Sequence, residues 1–256
     1  MKNILYTFAL LIFACSSDEG KRNSPNRLNL KIKKNSLDKQ NINGRVHYIK
    51  ETGYSAVEKS GEPEWDEFMW GYTIYYDKDG FETEWQKENA KGEIVGLTKF
   101  EYDEDGNLSE GIDFNTESEY FEVNGIFKAI GHFRFSSDNN GNVTERYYYN
   151  NNGQIQNRIS YKYDANGNKI EQIFYSSSGD GSDEKLLLTT NFKYGRDGRV
   201  AELKSYDDNQ ELNQTAKFKY YEFDNKKNWQ KKIYYEDGKA IQIIDRKIIY
   251  YEEYYD

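Results

Sequence analysis

One phrase is written twice in this chain, and that repetition narrows the possible folds more than any other feature. YKYDANGNKIEQIFY occupies residues 161–175 and YEFDNKKNWQKKIYY residues 221–235, and the two align without a gap. Glycine in a turn setting after an aromatic picks out six related sites. They are residues 76–80 (YDKDG), 102–107 (YDEDGN), 135–142 with two extra residues, 163–168 (YDANGN), 194–198 (YGRDG) and 223–228 (FDNKKN), where Lys227 takes the place of glycine. Asp or Asn caps local backbone N–H groups, and glycine accepts the positive φ that closes a hairpin loop.

Before most turns two aromatics stand two apart, as in Phe100 and Tyr102 or Tyr161 and Tyr163, which puts both rings on one strand face. Past the turn, offset four from the glycine holds Glu84, Glu110, Glu145, Glu171 and Glu202, then Lys231. Offset eight holds Phe114, Tyr149, Tyr175, Tyr206 and Tyr235. Strict alternation places all even offsets on one face, so the Glu row, the aromatics at offset eight and Val143 or Val200 at offset two are expected to share a side. A looser turn near residues 91–92, 151–153, 178–179, 208–209 and 237–238 ends each unit. The period is 26 residues from Gly80 to Gly106 and again from Gly141 to Gly167. Such a period signifies an array in which each hairpin covers its neighbour's face.

Tyr occurs 24 times, Phe 14 times and Pro only twice, which suits strands with half-buried rings. The expected fold is all-β: an antiparallel meander of stacked β-hairpin repeats, forming a strongly twisted sheet or an open barrel-like superhelix. Residues 56–59 are the best place for a helical turn. The charged, Tyr-rich tail at 247–256 is expected to blunt an exposed end strand.

Residues 1–14 pair one lysine with an apolar run too short to span a bilayer. The only cysteine, Cys15, follows directly. This segment resembles a bacterial lipoprotein signal, which implies that Cys15 is lipidated and anchors the chain in a membrane. The alternative is an ordinary secretory signal with a chance cysteine. Ser16-Ser17-Asp18-Glu19 resembles the export signal of Bacteroidetes surface lipoproteins, which implies an outer-membrane, surface-exposed position. Residues 15–43 then read as lipidated cysteine and flexible tether, and residues 44–256 as the repeat domain. The repeats resemble the YD repeats of the RHS family, and most of all a group of Bacteroidetes lipoproteins with tandem YDxxGN repeats, over about residues 44–251. That resemblance implies an architecture and says little about activity.

The net charge of −9 repels phosphates, so nucleic acid is not an expected partner. His47 and His132 lack metal-ligand spacing, no phosphate loop or nucleophile elbow appears, and no cofactor is expected. Asp77, Asp79, Asp103, Asp105 and Asn107 offer alternating oxygens to calcium, but they are also ordinary turn residues. The Glu row has two readings. Each carboxylate is paired with a tyrosine hydroxyl or a cation on its own face, or the row lines a groove suited to sugars. The glycan reading asks Trp85, Tyr148, Phe174 and Tyr234, at odd offsets, to gather on one exposed face. A glycosidase-like enzyme would need two of the carboxylates at catalytic separation. The leading expectation is a non-enzymatic surface scaffold or adhesion module for an unidentified protein, with a glycan-binding module as the alternative and the enzyme third.

Overall fold

A computed structural model describes residues 34–115, 129–150, 152–179 and 183–254; Cys15, the signal segment and most of the tether lie outside the described residues. The strands run in chain order: β1 Val46–Lys59, β2 Glu62–Tyr76, β3 Glu82–Glu88, β4 Ile94–Tyr102, β5 Leu108–Asn115, β6 Ala129–Ser137, β7 Val143–Tyr149, β8 Ile155–Tyr163, β9 Lys169–Gly179, β10 Glu184–Tyr194, β11 Val200–Tyr206, β12 Leu212–Phe223, β13 Trp229–Glu236 and β14 Lys239–Tyr250. Each pairs antiparallel with its sequence neighbours, and β1 also pairs with β14. The meander thus closes into a barrel. The end strand expected to need blunting has no free edge, because residues 247–250 belong to β14 and pair with β1. Residues 56–59, expected to form a helical turn, are the last of β1. Short helices flank the barrel, α1 at Ser36–Lys39 and α2 at Tyr251–Tyr254.

The turns explain the repeat. At Asp77 the backbone N–H donates to the Phe81 carbonyl, and the Gly80 N–H donates to the Asp77 carbonyl. The same two bonds recur at residues 103, 138, 164, 195 and 224, and also at 89, 150 and 207. Three of the turns expected to be looser are therefore the same turn, a type I turn ending in a left-handed residue. That residue is glycine in most copies, but Gln210 (φ 65°) and Lys227 (φ 68°) adopt it as well.

One residue past the closing pair the register slips in the first five units, while β12 and β13 keep theirs. Tyr76 pairs with Glu82 but Tyr75 with Glu84, so Thr83 is extra. Ser109, Thr144, Ile170 and Ala201 are extra in the same way. Each is a β-bulge, and a bulge inverts the side on which all later residues point. Offsets two, five and seven face inward, and four, six and eight face outward. The expectation that all even offsets share a face fails at this one residue.

Tyrosines join successive units across the bulges. The Tyr102 hydroxyl donates to the Glu82 carbonyl at 2.8 Å, Tyr163 to Val143 at 2.7 Å, Tyr194 to Lys169 at 2.9 Å and Tyr220 to Val200 at 3.0 Å. Each acceptor is the residue just before a bulge. Ser137, which makes the closing pair with Val143 in the third unit, is too short to bridge and interrupts the series.

The interior holds two apolar clusters. One gathers Ile49, Ile74, Tyr76, Trp85 and Ile248 with Leu37 and Ile42. The other gathers Phe192, Val200, Leu203 and Ala216. Leu37 and Ile42 lie in the stretch expected to be tether. The α1 segment instead plugs the end of the barrel where the YD turns gather: Leu37 N–H donates to the Gly80 carbonyl, Lys39 Nζ to the Gly141 carbonyl and Asn43 N–H to Asn228 Oδ1. Gly111 makes room for the Phe133 ring on the inner wall, since a Cβ there would sit 1.9 Å from it.

Candidate functional site

The inner wall follows from three columns of the repeat. Offset two supplies Glu82, Leu108, Val143, Lys169, Val200 and Trp229. Offset five supplies Trp85, Gly111, Arg146, Gln172, Leu203 and Lys232, and offset seven includes Asp113, Tyr148, Phe174 and Tyr234. Offset two is apolar in most units, while offsets five and seven are mixed. Apart from Lys87 and Asp113, the charges fall into two places; Asp113 accepts from Thr98 Oγ1 at 2.5 Å, and burial raises its carboxyl while Thr98 and then Arg146 pull it down.

Beneath α1 a cavity of about 150 Å³ is lined by Trp85, Phe100, Tyr102, Phe135, Tyr161 and Tyr163, with the charged side chains Lys39, Glu82, Arg146 and Lys169. Glu82 is buried and accepts from Trp85 Nε1 at 3.1 Å and from Gln40 of the plug. Burial pushes its carboxyl up to about 7, against those hydrogen bonds and the charges of Lys39 and Arg146, which pull it down. The Arg146 guanidinium lies 4.0 Å from the Phe133 ring centroid and 4.4 Å from that of Tyr148. Buried Lys169 has its Nζ 5.0 Å from the Tyr161 ring and 5.1 Å from the Phe192 ring.

The second place is near β1, β13 and β14. Arg246 binds Glu51 through Nε at 2.7 Å and Nη2 at 2.5 Å, and lies 3.5 Å from the Trp229 ring centroid. Burial raises the Glu51 carboxyl, but Arg246 and then Lys232 hold it below its ordinary value. Burial pushes Lys232 down to about 8, against the pull of Glu51. This group is internally paired, and under α1 Arg146 likewise bonds the Tyr161 side chain and pulls down the carboxyls of Glu82 and Asp113.

The groove proposed from sequence is divided by the barrel wall. Trp85, at 7% exposure, packs in the core, Tyr148 lies against Phe133, and Tyr234 packs against the Phe192 cluster with Phe218. Phe174 is inward by register, opposite Ile159 and Leu188. These four do not form an exposed aromatic face, because the bulge turns odd offsets beyond it inward.

The Glu row stands outside. Glu84 accepts from Gln86 at 2.7 Å and pairs across from Lys99. Glu110 lies 3.6 Å from Arg134, and Glu171 2.6 Å from Lys162. Glu145 accepts from the Tyr147 hydroxyl and from Arg158 at 3.1 Å, and Arg158 also bridges to Glu184 at 2.6 Å. Glu202 sits between Lys193 and Lys217 in register. The row is thus a set of separate cross-strand pairs on a convex wall, which is not the facing pair of carboxylates that glycoside hydrolysis needs.

The turn aspartates serve the turns. Asp77 Oδ1 accepts from the N–H groups of Asp79 and Phe81, both at 2.9 Å. Asp103 accepts from the Asn107 N–H at 2.7 Å and its Nδ2 at 2.9 Å. Asp105 is at the exposed tip of that turn. Among the described residues no group of three acidic, His or Cys side chains is placed to hold a metal. His132 stacks on Tyr149 at 4.8 Å, and His47 lies among Tyr48, Tyr75 and Tyr251, so the two histidines occupy separate aromatic settings.

No signal in plain alternation marks Glu82, Arg146, Lys169 or Lys232 as interior. Sorting the repeat into columns, with one residue inserted at offset three, would have found them.

The β1–β2 hairpin extends past the barrel rim, since β1 pairs with β14 only as far as Ser55 and with β2 to Lys59. Two register slips in this hairpin bend it back over the outside. There the Trp65 ring, 52% exposed, comes within 5.1 Å of Lys231 Nζ. Tyr221 (38%) pairs across from Lys231, and Phe223 (47%) follows it.

No protein-family model matches this sequence, and no curated protein matches it significantly. Among solved structures it is similar to a porin-like protein from Bacteroides uniformis, with 11% identity and a TM-score of 0.43 over 80% of this chain and 96% of that one. It is also similar to a porin-like protein from Bacteroides vulgatus, with 10% identity and a TM-score of 0.45 over 81% and 99%. A third similarity, to the Photorhabdus luminescens Tc holotoxin pore, has 12% identity and a TM-score of 0.31 over 74% of this chain and 12% of that one. Likeness at this level bears on neither activity nor location.

Proposed function

We propose that this chain is a non-enzymatic binding module of the bacterial surface, a barrel that stands in water on a lipid anchor at Cys15 and takes up a protein partner on its outer wall. The observation that carries the reading is the charge on that wall. Lys99, Arg134, Lys204, Lys217 and Lys219 point outward from the middle part of their strands, and Lys162 and Lys193 nearer the strand ends, all of them exposed. A cation on the lipid face of a barrel costs roughly 2–4 kcal/mol near the midplane, so the five mid-strand cations alone would cost on the order of 10–20 kcal/mol in a bilayer. The same side chains are at ease in water beside the Glu row. A lipid at Cys15 supplies the membrane attachment that the wall itself does not favour.

The exposed aromatics Trp65 and Tyr221 flank Lys231, and exposed Phe223 lies two residues further along β12 beside Arg199, a mixture of rings and charges that suits a protein docking patch. A glycan-binding reading loses the exposed row of Trp85, Tyr148, Phe174 and Tyr234 on which it depended. The test is fractionation and capture. Full-length protein is expected in the outer-membrane fraction, and Cys15→Ser in the soluble fraction with its fold intact. Crosslinking on intact cells is expected to yield a protein adduct that the triple variant Trp65→Ala, Tyr221→Ala, Phe223→Ala loses. Retention of folded Cys15→Ser in the membrane, or ion conductance by the purified barrel in a planar bilayer, would sink the reading.

A further inference from the structure

The β1–β2 hairpin leaves the barrel wall and then returns to cover it. Lys232 and Ile244 pair facing the interior, so Ile233 and Ile243, paired one residue along, face outward. Lys219, opposite Ile233 on its other side, is exposed, yet Ile233 is only 6% and Ile243 only 1% exposed. Their cover is the arm of the hairpin, residues 54–70. Tyr54 pairs across from Ile243 on the same face, and its ring lies 6.2 Å from that of Trp65 and 6.4 Å from that of Phe68. Trp65 rests against Lys231 with the Asp245 carboxyl beside it. Burial, Tyr221 and then the charge of Glu62 raise the Tyr235 hydroxyl, which places the arm's tip near β13. A strip of outer wall is thus packed like a core.

The arm is fastened less well than the wall it covers. β1 pairs with β14 only as far as Ser55, and β2 pairs with β3 only from Gly71, so among the described residues the outer edges of the arm beyond these points carry no ladder. Where the arm leaves the barrel the register slips twice, at Gly53–Tyr54 and at Tyr54–Ala56. Two buried polar atoms at that joint have no hydrogen-bond partner: Nε1 of Trp70, which packs over Gly53, and Oε1 of Gln242, whose amide N–H donates to the weak Met69 thioether at 3.2 Å. Unsatisfied buried groups penalise the closed form and regain water on opening. Segments with few ladder bonds are the ones that open without global unfolding.

We propose that residues 54–70 form a clasp. The arm lifts from the wall while the barrel stays closed, and lifting adds Ile233, Ile243 and the covered side of Trp65 to the docking surface. The partner it fits is a protein that inserts an apolar side chain between Trp65 and Ile243. The clasp follows from the fold, whereas its use in docking rests on the reading of the outer wall as the docking face.

Thiol labelling tests the clasp. In a Cys15→Ser background, Ile243→Cys is expected to react with a charged maleimide in native buffer at least about a hundredfold faster than Val200→Cys on the inner wall. Its urea dependence is expected to be less than about half that of global unfolding. Trp65→Ala is expected to speed this labelling at least about fivefold further, and Ile233→Cys is the second reporter should Ile243→Cys not fold. In the lipidated parent on intact cells, a bismaleimide bridging Glu62→Cys to Tyr235→Cys is expected to cut crosslinking to the partner at least about fivefold relative to the same variant left unbridged. Labelling of both reporters no faster than Val200→Cys, with the full urea dependence, would overturn the clasp. Equal crosslinking by bridged and unbridged arms would overturn its part in docking. Absence of any adduct from the unmutated protein would instead overturn the outer-wall reading, and the labelling rates would still decide the clasp.

Discussion

Two stretches of the inner wall are built on the same template and have opposite characters. On β11, offsets two and five are Val200 and Leu203, both buried beside Phe192 and Ala216 in a dry cluster. On β7 and β9 the same columns hold Arg146 and Lys169, beside a cavity. The turns, bulges and tyrosine bridges are alike in both stretches, so the backbone does not demand the charges. The template specifies the barrel, and its inward columns take a charge where a ring or an opposite charge meets it.

Exchanging the two characters is the severest way to break the comparison. Leu203→Arg puts an unpaired charge into the dry cluster and is expected to cost more than about 4 kcal/mol, enough to unfold the domain in a denaturant titration. The reverse change, Arg146→Leu, is expected to alter stability by about 1 kcal/mol at most, because an apolar side chain replaces a buried ion of similar volume. Comparable losses from both changes would mean that the two stretches do not differ in kind.

The next effect is smaller and depends on pH. Glu82 has an ordinary value of 4.5 and a folded value of about 7, so between these pH values the folded state keeps a proton that the unfolded chain has lost. Stability associated with this group is therefore fully present below about pH 4.5 and falls as pH rises through 7. At 1.36 kcal/mol per unit, the loss approaches about 3 kcal/mol at pH 8. Glu82→Gln is expected to be more stable than the parent by up to about that amount at pH 8 and nearly equal to it at pH 4.5, read from urea midpoints at both values. An equal difference at both pH values would show that the gain comes from packing and not from the proton.

The antiparallel meander was legible because turn chemistry is local: Asp, Asn and Gly at fixed spacing announce their hairpins whatever surrounds them. Closure was not, since pairing β1 with β14 joins segments nearly the whole chain apart and leaves no local mark. The inner wall was misread for a narrower reason. A bulge is one unpaired residue with no side-chain requirement, as Thr83, Ser109, Thr144, Ile170 and Ala201 show by their variety, yet it inverts everything after it. The Glu row was legible as a row, but not as an outer one. Leu37 and Ile42 looked like tether because two apolar residues among lysines and asparagines carry no period.

The tyrosine bridges allow a finer comparison. Tyr163→Phe removes the hydroxyl that bonds the Val143 carbonyl and is expected to cost about 1 kcal/mol. The reverse substitution, Ser137→Tyr, adds a bridging hydroxyl where the series is interrupted and is expected to cost nothing or stabilise slightly. The smallest effect concerns the left-handed turn residue. Lys227→Gly relieves a positive φ of 68° and is expected to raise stability by about 0.5–1 kcal/mol in thermal melts. The same change at the exposed Gln210 turn is expected to act alike, and no gain at either would place the turn strain elsewhere.

The account rests on the bulge at offset three, and adjacent cysteines on β11 test it most directly. In a Cys15→Ser background, Val200→Cys, Glu202→Cys and Leu203→Cys are probed with a bulky charged maleimide on the folded protein. An unbroken strand places positions 200 and 202 on one face and 203 on the other. The bulged strand places 200 and 203 inside and 202 outside. The account predicts rapid labelling at 202 alone, with 200 and 203 reacting only after denaturation. Equal labelling at 200 and 202, with 203 protected or not, would contradict it.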